Sequence, residues 1–139
     1  MQFSTRTTIG AAPDHVWRIL TDLTAWTTWN TTVTSTEGTV ALGNKVTVAV
    51  TANPGHAFAV KVTELAPPVR MVWRGGTPLG LFTGTRTYAL SPDRGSTVFD
   101  MTEVYAGPLA RMVTRSIPDL QPSFDEFAQC LRSHAEQSA

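Results

Sequence analysis

An α+β fold, with a long C-terminal helix laid against a curved sheet, is what this sequence predicts, and three observations carry the prediction. From Gln2 to Ala106 the chain is mostly runs in which apolar and polar residues alternate, the two-residue period of a half-buried strand. Gly, Pro, Asn and Asp clusters punctuate those runs as turns. From Leu109 to Glu136 the period changes to steps of three and four, through Leu109, Met112/Val113, Ile117, Leu120, Phe124, Phe127 and Leu131. A stripe of that length needs a broad apolar surface to cover it, and the sheet is the natural partner. A sheet closed around one helix encloses a space. Whether it is filled or hollow decides the function.

The chain has 139 residues, one domain by default and enough to bury a core. Lys plus Arg equals Asp plus Glu at 11 each, so the formal net charge is zero. That balance offers no basic surface to nucleic acid or an anionic membrane. No apolar run approaches the ~20 residues of a membrane span. The opening MQFSTRTTIG lacks the basic-then-apolar pattern of a secretory leader, so the cytoplasm is the expected compartment. Cys130 is the only cysteine; it excludes an internal disulfide and reads as a buried thiol beside the stripe. His15, His56 and His134 are scattered over a helix, a turn and the tail, so no metal site is expected, and His15 in the first helix is expected at the surface. The phosphate-loop, dinucleotide, nucleophile-elbow and zinc-protease motifs are missing, and no cofactor is expected. A monomer or homodimer is anticipated.

Taken in order, QFSTRTTI over residues 2–9 alternates as an opening strand. Pro13 suits the first turn of a helix of about 13–21, where its missing N–H has no partner to lose, and Asp14 complements that helix end. Asp22 is placed to cap a second short turn carrying Leu23 and Trp26, closed by Trp29-Asn30. Two tryptophans three apart bury a large apolar area: a plug at one end of the sheet is the simpler reading, ligand contact the other. Strands follow at about 32–38, 45–52, 57–65 and 69–74, with Val46, Val48, Val50, Phe58, Val60, Val62, Met71 and Trp73 on inner faces. The loop from Gly75 to Gly80, with Leu79 and Leu81, reads as a plain hairpin connection or as a lid. Ser91 to Ser96 is turn chemistry between two long strands, about 81–91 and 96–106. Pairing Ser91 with Ser96 sets Tyr88 opposite Phe99 and Arg86 opposite Met101, and puts Phe82, Arg86, Tyr88, Phe99, Met101, Glu103 and Tyr105 on one face. Pro118 and Pro122 interrupt the helical stretch, at ~3 kcal/mol or more each in a regular helix interior. A break near 117–122 is therefore expected, with 123–136 the firmest part.

Arg86 and Glu103 are the chemically informative pair, because both point inward among aromatic residues. A charge there must be paired or wet. They form an ion pair or sit at a solvated cavity mouth, or they orient a polar group on an apolar ligand. A further step makes Glu103 a general base, with Arg86 or Tyr88 stabilising an oxyanion.

Several phrases, in order, carry a family resemblance: Ala12-Pro13 before Val16-Trp17, Leu20-Thr21-Asp22, Trp26 and Trp29-Asn30, Val62-Thr63-Glu64 before Pro67-Pro68, Val72-Trp73, Gly84 before Tyr88-Ala89-Leu90, and Thr97-Val98-Phe99 with Glu103 and Gly107. Nearly the whole chain thereby resembles the START-like (SRPBCC) superfamily, especially its polyketide cyclase/dehydrase branch. The resemblance implies the helix-grip fold: a seven-stranded antiparallel sheet wrapped around the C-terminal helix, two short helices after the first strand, and a cavity for apolar ligands. Its members include lipid carriers, hormone receptors, aromatic polyketide cyclases and Hsp90 ATPase activators. The expectation is a small apolar or aromatic ligand walled by Trp73, Phe82, Tyr88, Phe99, Met101, Met112 and Phe124, with Arg86 and Glu103 as polar contacts. A cyclase/dehydratase using the same cavity is the alternative, with Glu103, Arg86 and Tyr88 as its candidate catalytic residues. An interaction module is the third, opposed by the Thr-rich outer face (Thr47, Thr51, Thr85, Thr87, Thr102).

Overall fold

The computed structural model describes residues 1–139. Strand β1 (Gln2–Ile9) leads into helix α1 (Pro13–Thr21) and, through one turn of 3-10 helix, into the short α2 (Trp26–Trp29). Six strands follow: β2 (Val33–Glu37), β3 (Lys45–Val50), β4 (Ala57–Ala66), β5 (Arg70–Gly76), β6 (Thr83–Asp93) and β7 (Ser96–Ala106). Helices α3 (Ala110–Thr114) and α4 (Gln121–Ser138) complete the chain. The strands make one antiparallel sheet in the order β1-β7-β6-β5-β4-β3-β2. Register shifts in β2 at Val33/Ser35 and in β4 at Val62/Glu64 insert an extra residue in each strand. Such bulges bend a strand and increase its twist, which helps the sheet curl toward α4.

Three local expectations are corrected. The β6–β7 hairpin is tighter than the sequence reading has it. Asp93, not Ser91, faces Ser96, and Arg94 and Gly95 make the turn with φ of 52° and 87°. Positive φ at both central residues gives the turn whose twist matches the strands it joins. The register moves by two residues, which keeps every side chain on its face while exchanging partners. Arg86 is therefore directly opposite Glu103, Tyr88 opposite Met101 and Leu90 opposite Phe99. Asp22 stands at the N-cap of the 3-10 turn Leu23–Ala25, as expected, but its carboxylate makes no bond to a backbone N–H there and accepts the Thr24 hydroxyl at 2.7 Å instead. His15 is half-buried rather than free at the surface, its Nε2 lying 3.1 Å from the Ala135 carbonyl and 3.0 Å from Ser138 Oγ.

The C-terminal stripe breaks where the prolines demand. Residues 115–120 leave the helix, and Pro122 sits in the first turn of α4, the position that tolerates it. The Asp119 carboxylate accepts the Gln121 N–H at 3.0 Å. Beyond this start, α4 buries Phe124, Phe127, Ala128, Leu131 and Ala135, a single face at three- and four-residue spacing. That face lies on β1, with α1 and α2 packed beside it.

Packing fills one end of the grip. Val16, Trp17 and Leu20 of α1 join Ile9, Leu90, Phe99, Leu131 and Ala135 in a continuous core. Each large side chain in it contributes roughly 1.5–3 kcal/mol by leaving water. Trp26 and Trp29 are both buried, and Trp26 donates its Nε1–H to the Leu20 carbonyl at 3.1 Å. Phe127 is central to the packing: its ring centroid is 5.2 Å from Trp26, 5.9 Å from Trp29, 6.2 Å from Tyr88 and 6.0 Å from Phe99.

Candidate functional site

The other end is hollow. Between the N-terminal half of α4 and the inner sheet face lies a cavity of about 270 Å³. Its walls come from alternate residues of β3 (Val48, Val50), β4 (Phe58, Val60) and β7 (Met101, Glu103, Tyr105), with Trp73 of β5, Arg86 of β6 and Phe82 just before β6. Ile117, Leu120, Phe124 and Phe127 close it from the C-terminal segment, and Trp26 from α2. Gly75, Gly76 and Gly84 line it where side chains are missing. At Gly84 an added Cβ would come within 3.2 Å of the Tyr105 ring.

The polar part of the wall is a row across three strands. Trp73, Arg86 and Glu103 are directly paired across β5, β6 and β7. Arg86 Nη2 donates to Glu103 Oε2 at 2.8 Å, with side chains 22 % and 15 % exposed. The Tyr105 hydroxyl donates to the same Oε2 at 3.3 Å, which leaves Oε1 without a protein partner. The Phe124 ring lies 4.8 Å from the guanidinium carbon, a cation–π contact that holds the arginine from the helix side. Tyr105 is itself stacked on Phe82, centroids 5.6 Å apart. Burial disfavours the Arg86 charge, but the Glu103 carboxylate and the Tyr88 oxygen outweigh it and hold the guanidinium above its ordinary value.

Burial has the opposite consequence for the phenols. It pushes Tyr88 up to about 12, with nearby Arg86 opposing the shift, and it raises Tyr105 too, reinforced by Glu103. These are the only two tyrosines in the chain. A phenol held protonated in the folded state binds its proton more tightly than in the unfolded chain. Stability is then intact below the ordinary value near 10 and falls as pH rises from there through about 12. Phenolate absorbance is expected to stay low at pH values where free tyrosine ionises, then to rise together with unfolding. Normal, early ionisation of both phenols would contradict their enclosure.

Six of the nine residues expected at a ligand site are brought to the cavity wall: Trp73, Phe82, Arg86, Met101, Glu103 and Phe124. Tyr88 and Phe99 point to the same side but lie in the packed end, where Tyr88 meets Trp73 at 4.9 Å and Phe99 stacks on Phe127. Met112 is a plain correction: it is 67 % exposed, because the break at 115–120 takes α3 off the line of α4. Ile117 and Leu120, inside the break, take its place. Trp26 and Tyr105 also reach the wall; Tyr105 follows Glu103 by the same two-residue alternation that selected the others. The leucines of the 77–82 connection do not line the cavity. That turn is closed by Thr77, whose N–H donates to the Phe82 carbonyl at 2.9 Å and whose hydroxyl accepts the Phe82 N–H.

The sequence matches, over residues 1–136, the model of a family described as polyketide cyclase/dehydrase and lipid transport. A comparison with curated proteins gives no match. Among solved structures, a Rhodobacter sphaeroides protein superposes with a TM-score of 0.77 at 19% identity, covering 99% of this chain and 93% of that one. The Aha1 dimer protein from Colwellia psychrerythraea gives 0.72 at 18%, covering 98% and 96%. DynU16, from the dynemicin biosynthetic locus, gives 0.72 at 18%, with 99% of this chain aligned to 48% of that longer one. At these identities the structures establish the helix-grip α+β fold. No helix of the chain is long and apolar enough to cross a membrane.

Proposed function

The chain belongs to the polyketide cyclase/dehydrase and lipid transport family, and on that premise we propose that it binds a small hydrophobic or aromatic molecule between the sheet and α4. One observation carries the reading: the cavity of about 270 Å³ has apolar walls around a single internally balanced ion pair. Small-molecule sites have this composition, with apolar area supplying affinity and a few polar groups fixing orientation. A volume near the lower end for such sites selects a compact ligand.

Calorimetric titration with compact bicyclic aromatic compounds tests it. Val60 is half-buried on the cavity wall, so Val60→Trp fills the space from the sheet side. The wild-type protein is expected to bind members of the panel, and Val60→Trp to bind them at least about tenfold more weakly while remaining folded. Equal binding by both proteins, or none by the wild type, contradicts the proposal.

A cyclase or dehydratase reading of the same cavity draws on Glu103. Arg86 and Tyr105 both hold Oε2, which fixes the carboxylate and leaves Oε1 for a substrate proton. Under that reading Glu103→Gln abolishes turnover of a polycarbonyl substrate while binding persists. Under simple binding the same change lowers affinity modestly and there is no turnover to lose.

A further inference from the structure

We infer that the polar row of the cavity is built to take a hydroxyl group, carried by an otherwise apolar and uncharged molecule, which donates its hydrogen bond to Glu103 Oε1. This rests on the binding reading above and names the group by which the ligand is held.

The first observation is one open oxygen on a carboxylate whose other oxygen is fully used. Glu103 Oε2 accepts from both Arg86 Nη2 and the Tyr105 hydroxyl, while Oε1 accepts from no group of the protein. The unpartnered side-chain atoms that are sealed from solvent are Trp29 Nε1, Asn30 Nδ2, Trp73 Nε1 and the Tyr88 hydroxyl; Oε1 is not among them. It therefore keeps accessible surface, on a residue of the cavity wall. The backbone also leaves room at that atom. Gly84 stands two residues before Arg86 on the same face of β6 and lines the same cavity. A Cβ added at Gly84 would stand 3.5 Å from Oε1, in ordinary van der Waals contact, so the missing side chain opens the space beside the bare oxygen. An ionised carboxylate oxygen only accepts, so whatever meets it must donate. Hydrogen bonds to an ionised acceptor are roughly twice as strong as neutral ones, which makes this the strongest polar contact the wall offers.

The second observation is charge. The Glu103 carboxylate is matched one-to-one by Arg86 at 2.8 Å. An ammonium entering here would set two cations against one carboxylate, and a ligand carboxylate would face Glu103 with no cation to spare. The donor is therefore uncharged. Arg86 narrows it further, because a guanidinium carries several N–H groups and Glu103 engages only Nη2. A hydroxyl, unlike the N–H of an amide or an indole, donates a proton and offers lone pairs at one atom. One group thus serves both the carboxylate and the guanidinium beside it. The apolar remainder of the molecule then lies along Val48, Val60, Ile117 and Leu120.

Calorimetry at neutral pH with naphthol, methoxynaphthalene, methylnaphthalene and naphthoate, all of nearly one shape, tests this. Naphthol donates and accepts, methoxynaphthalene only accepts, and methylnaphthalene does neither. Naphthol is expected to bind on the order of tenfold or more tightly than either of the other two neutral compounds. Naphthoate is expected to bind no more tightly than methylnaphthalene. Glu103→Gln reverses the chemistry of the open position: the amide oxygen takes the place of Oε2 toward Arg86 and Tyr105, and the amide NH2 replaces Oε1, a donor where there was an acceptor. Naphthol's advantage over methoxynaphthalene should then fall below about threefold, with methylnaphthalene still bound. Gly84→Ser leaves the ion pair in place and brings an internal hydroxyl within reach of Oε1, so it should remove the same advantage. Equal affinity of the wild type for naphthol and methoxynaphthalene, tightest binding of naphthoate, or a naphthol advantage that survives either substitution in folded protein overturns the inference and leaves the binding reading standing. If none of the four compounds binds, the binding reading fails, and this one with it.

Discussion

Phe127→Ala is expected to lower the free energy of unfolding by about 3–5 kcal/mol, the range for removing a fully buried phenylalanine. The ring is 2 % exposed and is the point at which α4, α2 and the sheet meet. It is edge-on to Trp26 and Trp29 and stacked at 8° on Phe99. Aromatic pairs of this kind add roughly 0.5–1.5 kcal/mol each beyond area alone, so the upper half of the range is favoured. Relaxation into the space is opposed because Trp26 is pinned by its bond to the Leu20 carbonyl and stacked on Trp73. Urea unfolding followed by tryptophan fluorescence measures the loss. A loss below about 1.5 kcal/mol would mean that the aromatic cluster collapses without cost, contrary to the packing described.

Glu103→Leu is expected to cost about 3 kcal/mol or more, because it strands the Arg86 guanidinium in a mostly apolar enclosure. The cost comes from the unpaired cation rather than from loss of a strongly stabilising bond. Adding Arg86→Met to the same protein should therefore restore most of the lost stability, since a well-packed apolar pair is often as stable as a buried ion pair. The exposure of the two side chains, 22 % and 15 %, sets the single-mutant effect toward the lower part of the range, because water in the cavity hydrates part of the charge. Unfolding curves of the two single variants and the double variant close the cycle. Two additive single losses would show that the side chains act independently and that no coupled pair spans β6 and β7.

Much of this architecture was legible in the residues because two periods with a physical cause separate the sheet from the helix. The alternation in β3 and β7 assigned Val46, Val48, Met101 and Glu103 to the inner face, and the spacing from Phe124 to Leu131 assigned the buried face of α4. Pro118 and Pro122 marked the helix break for the same steric reason that the structure breaks there. The misplacements trace to longer-range geometry. Met112 followed the helical period, yet a period describes one rigid helix, and the segment at 115–120 ends that rigidity. The hairpin register was set by counting from a turn whose tightness depends on Arg94 adopting positive φ, which no pattern in the strands announces. Tyr88 and Phe99 were assigned to the correct face, but depth along a face depends on where α1 docks, and α1 fills their end.

Native mass spectrometry of the protein purified from its own host, with denaturing extraction of what it carries, tests the central claim most directly. The account predicts an apolar molecule of defined mass that stays bound to the folded wild-type chain, leaves on unfolding, and is missing from Val60→Trp. A bare wild-type chain, or identical cargo on both proteins, would contradict it.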